Sequence, residues 1–433
     1  MKRIFVLLML LVAGLNRSFS QNKWDDSREI VLDTYEQPIP FKMEEKIFVA
    51  YELHITNFGL DSLFIKSIKV FTDDSEVPFK TYSGEHLDKS ISRIKVPTST
   101  RNDTIIHIGQ RAILHAMLSF TSDRVPKKLS HQVEYSFVNN KQKTIMTKGG
   151  TISINQQDKA LVISAPVGEG IWRNSNGVED GFRGHRNGAI RPLNGIPYQK
   201  QKYAIDFIRY NEKGEAYQGK TSDNRSWFGY DSDVLAVADA RVAEVLDNVP
   251  ECQPFIPDEE RLAKITNLSG NYIILNIGNS IYAFYGHLKP GSILVKKGDQ
   301  VKKGQLIAKL GNSGNSTAPH LHFAINRHTP IRGEAIPYVF ESYEYLGEAP
   351  VSAPLGSITK SIEDDIVSRL TERLGDEGSN ELLTEMFRRT VRNSMPKTKI
   401  PGSTVDYSKK GEMKTEMSPK ANSMIRFIKS KPE

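Results

Sequence analysis

Apolar and polar residues alternate with period two over much of this chain, and that alternation puts successive side chains on opposite faces of a β-strand. In KIFVAYELHITNF, the residues Ile47, Val49, Tyr51, Leu53 and Ile55 share one face. RAILHAMLSF and HQVEYSFVNN repeat the pattern, with Asn-, Gly- and Asp-rich breaks between them. These runs predict an immunoglobulin-like β-sandwich within residues 21–158. His54 and His115 lie inside such runs and are expected as ordinary surface or core histidines of strands. A second region, 159–348, opens at LVISAPVGEGIW and closes at YVFESYEYLGEAP. Its segments YAIDFIRY, DVLAVADARVAEVLD, NYIILNIGNSIYAFYGHL and KGDQVKKGQLIAKLGNSG are rich in β-branched and aromatic residues, with Gly or Asp at the turns. They predict more strands, so the chain reads as mainly β.

The period changes beyond Pro350. Ser361 and Asp364 form a capping-box-like start, and Ile362, Ile366, Val367, Leu370 and Leu374 follow at helical spacing before Gly375. A second helix is expected from Glu381 to Val391. Residues 349–433 therefore read as a short helical hairpin and a basic flexible tail. At the other end, Lys2 and Arg3 precede the apolar run Ile4–Leu15, and small residues stand before Gln21. This predicts a signal peptide over residues 1–20 and a periplasmic or secreted mature protein. The run is too short for a membrane span, which needs about 20 residues, so no transmembrane helix is expected in the mature chain.

At 433 residues, 38% hydrophobic and 25% charged, the chain has room for two or three domains. Loss of Lys2, Arg3 and Arg17 with the signal peptide lowers the formal charge from +7 to +4. That mild excess gives no ground for a nucleic-acid partner. It is concentrated between Arg388 and Lys431, with 12 Lys and Arg against 3 acidic residues, which suits either contact with an anionic envelope polymer or a solvated end. Cys252 is the only cysteine, so no intramolecular disulfide forms and any zinc must sit on His and carboxylate.

The chemistry concentrates in the second region. His320 and His322, in APHLHFAIN, share one strand face with Cα atoms roughly 7 Å apart, a spacing suited to one metal ion and one proton transfer. Asp206 ends the apolar YAID, and a carboxylate there must reach solvent or bind something, because burying it unpaired costs several kcal/mol. A surface pair with Arg209 is its alternative role. His287 follows a strand in YAFYGHLKPG, where a plain turn hydrogen bond is the alternative.

The ordered set AIDF, YGHL, VKKGDQVKKGQLIAKLGNSG and PHLHF resembles the lysostaphin-type, LytM-like zinc endopeptidases of bacterial cell walls, over about Val162 to Gly347. That resemblance implies an antiparallel β peptidase domain, a zinc cofactor and peptidoglycan peptides as substrate. It implies zinc ligands at Asp206 and His322, a general base at His320, and a role for His287 in stabilising the oxyanion and protonating the leaving amine. The family's first ligand, four positions before the Asp, falls here on Lys202, which cannot ligate zinc while protonated. His185 in GFRGHRNG lies 21 residues before Asp206 and is the expected replacement, as in a subgroup of the family whose first histidine lies upstream; an exposed loop histidine is the alternative. Two functions therefore stay open. One is an exported zinc metallo-endopeptidase cutting peptidoglycan stem peptides or cross-bridges. The other is a degenerate LytM-like module that binds peptidoglycan or regulates another hydrolase. Oligomeric state is not legible.

Overall fold

The computed structural model describes residues 29–93, 103–121, 124–179, 181, 184–186, 190–254, 268–329, 333–348, 405 and 409–428. The expected signal peptide and both expected C-terminal helices lie outside these residues. Among the described residues no helix is long and apolar enough to cross a membrane.

The first region forms two sheets of five strands each, all pairings antiparallel. In the first, Lys46–Asn57 lies between Ile30–Asp33 and Arg111–Phe120. In the second, Leu63–Thr72 lies between Lys128–Phe137 and Lys80–Ser83. Val49, Tyr51, Leu53 and Ile55 point into a shared core with Ile65, Ile68, Val70, Leu114, Val133 and Tyr135. Four of the five residues that the alternation puts on one face are in this core, and Ile47, at the start of the strand, is not. The opposite face of Lys46–Asn57 is buried as well: Phe48 and Ala50, with Phe41 and Met43, join the core of the second region, and Phe41 packs edge-on to Tyr203. Glu52, His54 and His115 are buried on this side.

The second region is built on a twelve-stranded sheet. Its central order runs Tyr338–Glu348, Ser423–Phe427, Gly170–Ser175, Ile205–Tyr210, Leu321–Arg327, Ile281–Leu288, Asn271–Asn276 and Ala240–Leu246. These neighbours are antiparallel, and among the described residues only the edge pairing of Leu161–Ile163 with Tyr338–Glu348 is parallel. One face carries Ile205, Phe207, Tyr285, Leu321, Phe323 and Ile325 in the main core. The other carries Asp206 and His322.

The flexible tail expected after the helical segment is corrected for residues 412–427. Glu412–Met417 pairs with Tyr338–Glu348, and Ser423–Phe427 is wedged between that strand and Gly170–Ser175. Met417, Ile425 and Phe427 are in the main core, with Phe427 against Phe207 and Phe340. Two of the basic charges that suggested solvation are matched locally, Arg426 to Glu344 at 2.8 Å and Lys420 to Glu348 at 2.8 Å.

Candidate metal centre

Register brings the site together. Asp206 lies opposite His322, and Gly286 lies opposite His322 from the other side, so three neighbouring strands present Asp206, His322 and His287, which lies within the strand Ile281–Leu288 rather than after it. His320 stands two residues before His322, just ahead of the strand. His185 arrives from outside the sheet, on the short 3-10 turn Gly184–Arg186.

One donor atom each from His185, Asp206 and His322 lies within 4.8 Å of the others. His185 Nε2 is 3.0 Å from Asp206 Oδ1, and His322 Nδ1 is 2.9 Å from the same oxygen. The His185 and His322 rings meet edge to face with centroids 4.6 Å apart. His322 Nδ1 is hydrogen-bonded to the carboxylate, but His185 Nε2 is buried without a hydrogen-bond partner. A buried imidazole nitrogen left unsatisfied beside a carboxylate and a second imidazole is the donor set that a Zn²⁺ ion completes, two nitrogens and one oxygen. The residues fit the metal. Asn176 Nδ2 donates to Asp206 Oδ2 at 2.8 Å and orients the carboxylate. The pairing of Asp206 with Arg209 does not form, since that guanidinium bonds Ser232 and the Glu169 carbonyl.

Burial opposes ionisation of Asp206, but the proximity of His185 and His320, with the hydrogen bond from His322, outweighs it and holds the carboxyl well below the ordinary carboxylate range. Burial lowers His322, helped by the proximity of His185, and keeps it in the neutral form that a ligand needs. Burial also holds His287 well below the usual imidazole range, with His320 and His322 adding to the effect.

The two remaining histidines face the cluster with their tautomers set. His320 Nδ1 lies 2.8 Å from the Ala318 carbonyl and His287 Nδ1 lies 2.7 Å from the Ser313 carbonyl. A carbonyl only accepts, so each Nδ1 carries a proton, which leaves Nε2 as the atom that can take up or give a second one. His320 Nε2 is 3.5 Å from Asp206 Oδ1, and the His287 and His320 ring centroids are 4.7 Å apart. His287 has φ +61°, a left-handed conformation that costs a non-glycine residue about 1–3 kcal/mol and is typical of functional positions.

All five residues expected from the sequence thus meet at one place, and Lys202 does not join them. Its ammonium is buried between Glu36 and Glu52 of the first region, 2.6 Å from Glu52 Oε2.

Residues 229–335 match the model of peptidase family M23. The chain carries a peptidase family M23 domain. The matched window contains His287, His320 and His322, while His185, Lys202 and Asp206 precede it. The chain is similar to peptidoglycan DD-endopeptidase ShyA of Vibrio cholerae serotype O1, 46% identical over 57 residues, 13% of this chain and 13% of that protein. Peptidoglycan DD-endopeptidase ShyB of the same organism is 50% identical over 58 residues, again 13% of each chain. An uncharacterized metalloprotease of Haemophilus influenzae is 37% identical over 92 residues, 21% of this chain and 18% of that protein. The chain thus spans less than a fifth of the length of these relatives. Among solved structures, the catalytic domain of lysostaphin from Staphylococcus simulans aligns with 37% of this chain and 82% of that chain, at 20% identity and a TM-score of 0.21.

Asn176, Gln201 and Ser313 were not legible as site residues. Gln201 Nε2 lies 3.3 Å from His322 Nε2, and Ser313 acts through its backbone carbonyl, which no residue identity encodes. Glu52 did carry a signal: like Asp206, it is an acidic residue within an apolar run.

Proposed function

We propose that this chain is an exported zinc metallo-endopeptidase that hydrolyses peptide bonds in peptidoglycan stem peptides or cross-bridges. The observation that carries it is the convergence of His185, Asp206 and His322 with an unsatisfied His185 Nε2. These three would hold the ion, which when bound acidifies a water molecule and polarises the scissile carbonyl. His320 takes the proton from the attacking water at Nε2, its Nδ1–H tied to Ala318 O so that the ring cannot turn away. His287 presents Nε2 as a second base beside it. While neutral it cannot donate from that atom, so it serves the oxyanion or the leaving amine only after taking up, by way of His320, the proton that the water released. The charge of Asp206 favours the single imidazolium so formed. Lys202 motivated the non-catalytic alternative; its partners Glu36 and Glu52 give it a separate role, which supports catalysis.

Purified mature protein is expected to bind one zinc ion and to release peptides from sacculi. His185→Ala, which leaves Asp206 and His322 as ligands, is expected to bind zinc far more weakly though still measurably and to lose peptide release. His320→Ala is expected to keep the zinc and lose about 10²–10⁴ in kcat. Zinc bound without peptide release would favour the regulatory module, and full zinc and activity in His185→Ala would overturn the ligand set.

A further inference from the structure

The turn that carries His185 is held from across the molecule. No hydrogen bond to a described residue fixes Nε2 of His185, so its place depends on the backbone at its neighbours. Arg186, the next residue, is 1% exposed and inserts its guanidinium into the first sheet of the sandwich. Nη2 donates to Glu52 Oε1 at 2.7 Å, to the Tyr51 carbonyl at 2.9 Å and to the Ala116 carbonyl at 3.2 Å. Nε donates to Glu52 Oε1 at 3.2 Å, and Nη1 returns to the Glu179 carbonyl at 3.1 Å.

Tyr51 and Ala116 face each other on neighbouring antiparallel strands, as do Glu52 and His115, so the guanidinium spans a register pair of a rigid sheet. Gly181 N adds a bond to the His115 carbonyl at 3.1 Å, and Gln199 Nε2 holds the Arg186 carbonyl at 2.8 Å. Glu52 also receives Lys202, four positions before Asp206. One carboxylate of the sandwich therefore ties both segments that supply outer ligands. A planar, five-donor side chain suits this task in a way a lysine does not.

We propose that the sandwich sheet is part of the metal centre, and that Arg186, anchored on Glu52 and the Tyr51 and Ala116 carbonyls, is the positioning residue that presents His185 to the ion. This rests on the zinc reading above. In place of the ligand missing at Lys202, the chain uses a histidine whose location is set by a second domain, so separation of the two regions lowers metal affinity without touching a ligand.

The test is a double-mutant cycle on zinc affinity in the full mature chain, measured by competition with a chelating dye. Arg186→Lys, which keeps the charge but loses the fork, is expected to weaken zinc binding about 10–100-fold. In a His185→Ala background the same change is expected to alter affinity by less than about twofold. Glu52→Asp serves as the second variant, with the same expectation, should Arg186→Lys lack a cooperative thermal transition. Equal losses in both backgrounds, or unchanged affinity in the single variants, would overturn the positioning role while leaving the zinc reading intact. A wild-type chain that takes up no zinc would remove both.

Discussion

Asn176 offers the most direct probe of how the carboxylate is aimed. It sits at φ +56°, so alanine there would mix backbone strain with loss of the amide, whereas Asn176→Gly removes only the hydrogen bond to Asp206 Oδ2. Zinc affinity is expected to fall about tenfold, within the range seen for outer-shell partners, with the circular dichroism spectrum unchanged. At this scale the sequence was informative wherever chemistry left a local trace. His320 and His322 are legible because a two-residue step on a strand keeps a face, and Asp206 because a charge in an apolar run needs a reason. His185 needed the family pattern and the gap at Lys202 to be noticed at all. The purpose of Lys202 was out of reach, since its partners Glu36 and Glu52 lie some 150 positions away, and no local period encodes a meeting over that distance.

Among the elements, the turn around Ser313 carries more than its composition suggests. Its carbonyl holds His287, while its hydroxyl accepts from Asn271 N and donates to the Leu288 carbonyl. Gly270 makes this possible: at φ +66°, with an added Cβ only 2.3 Å from Ser313 O, it admits no side chain. Gly270→Ala is expected to cost at least about 2 kcal/mol in chemical denaturation, by combined strain and collision. The C-terminal strand offers a parallel case in packing. Phe427→Ala, which removes a ring 5.3 Å from Phe340 and 6.1 Å from Phe207, is expected to destabilise the fold by about 3–5 kcal/mol. Strands with clean alternation were legible; this one was hidden because five residues amid basic ones carry too little periodicity.

For the molecule as a whole, the buried ion cluster between the two regions ties stability to pH. Burial pushes the Glu36 carboxyl up to about 8, against the pull of Lys202 and with the Glu52 charge adding to the rise. The folded chain therefore keeps that proton after the unfolded chain, with its ordinary value near 4.5, has released it. Stability from this group is present at low pH and is lost as pH rises toward about 8. Urea unfolding at about pH 5 and about pH 8 is expected to show a fall in wild type that is smaller in Glu36→Gln.

The strand Ser423–Phe427 also sets an order of events. It joins the middle of the sheet, and Arg173 on its partner strand bonds Asn422 across 249 positions of chain. Pairing over such a separation is slow, because the entropy of closing the loop is spent before the contacts form. Until those residues arrive, Gly170–Ser175 has a bare edge next to the Asp206 strand, open to other chains. A polypeptide that has not yet added these residues would hold every histidine of the cluster and still lack the strand that covers Gly170–Ser175, so the sheet around the cluster closes only after Ser423–Phe427 is in place.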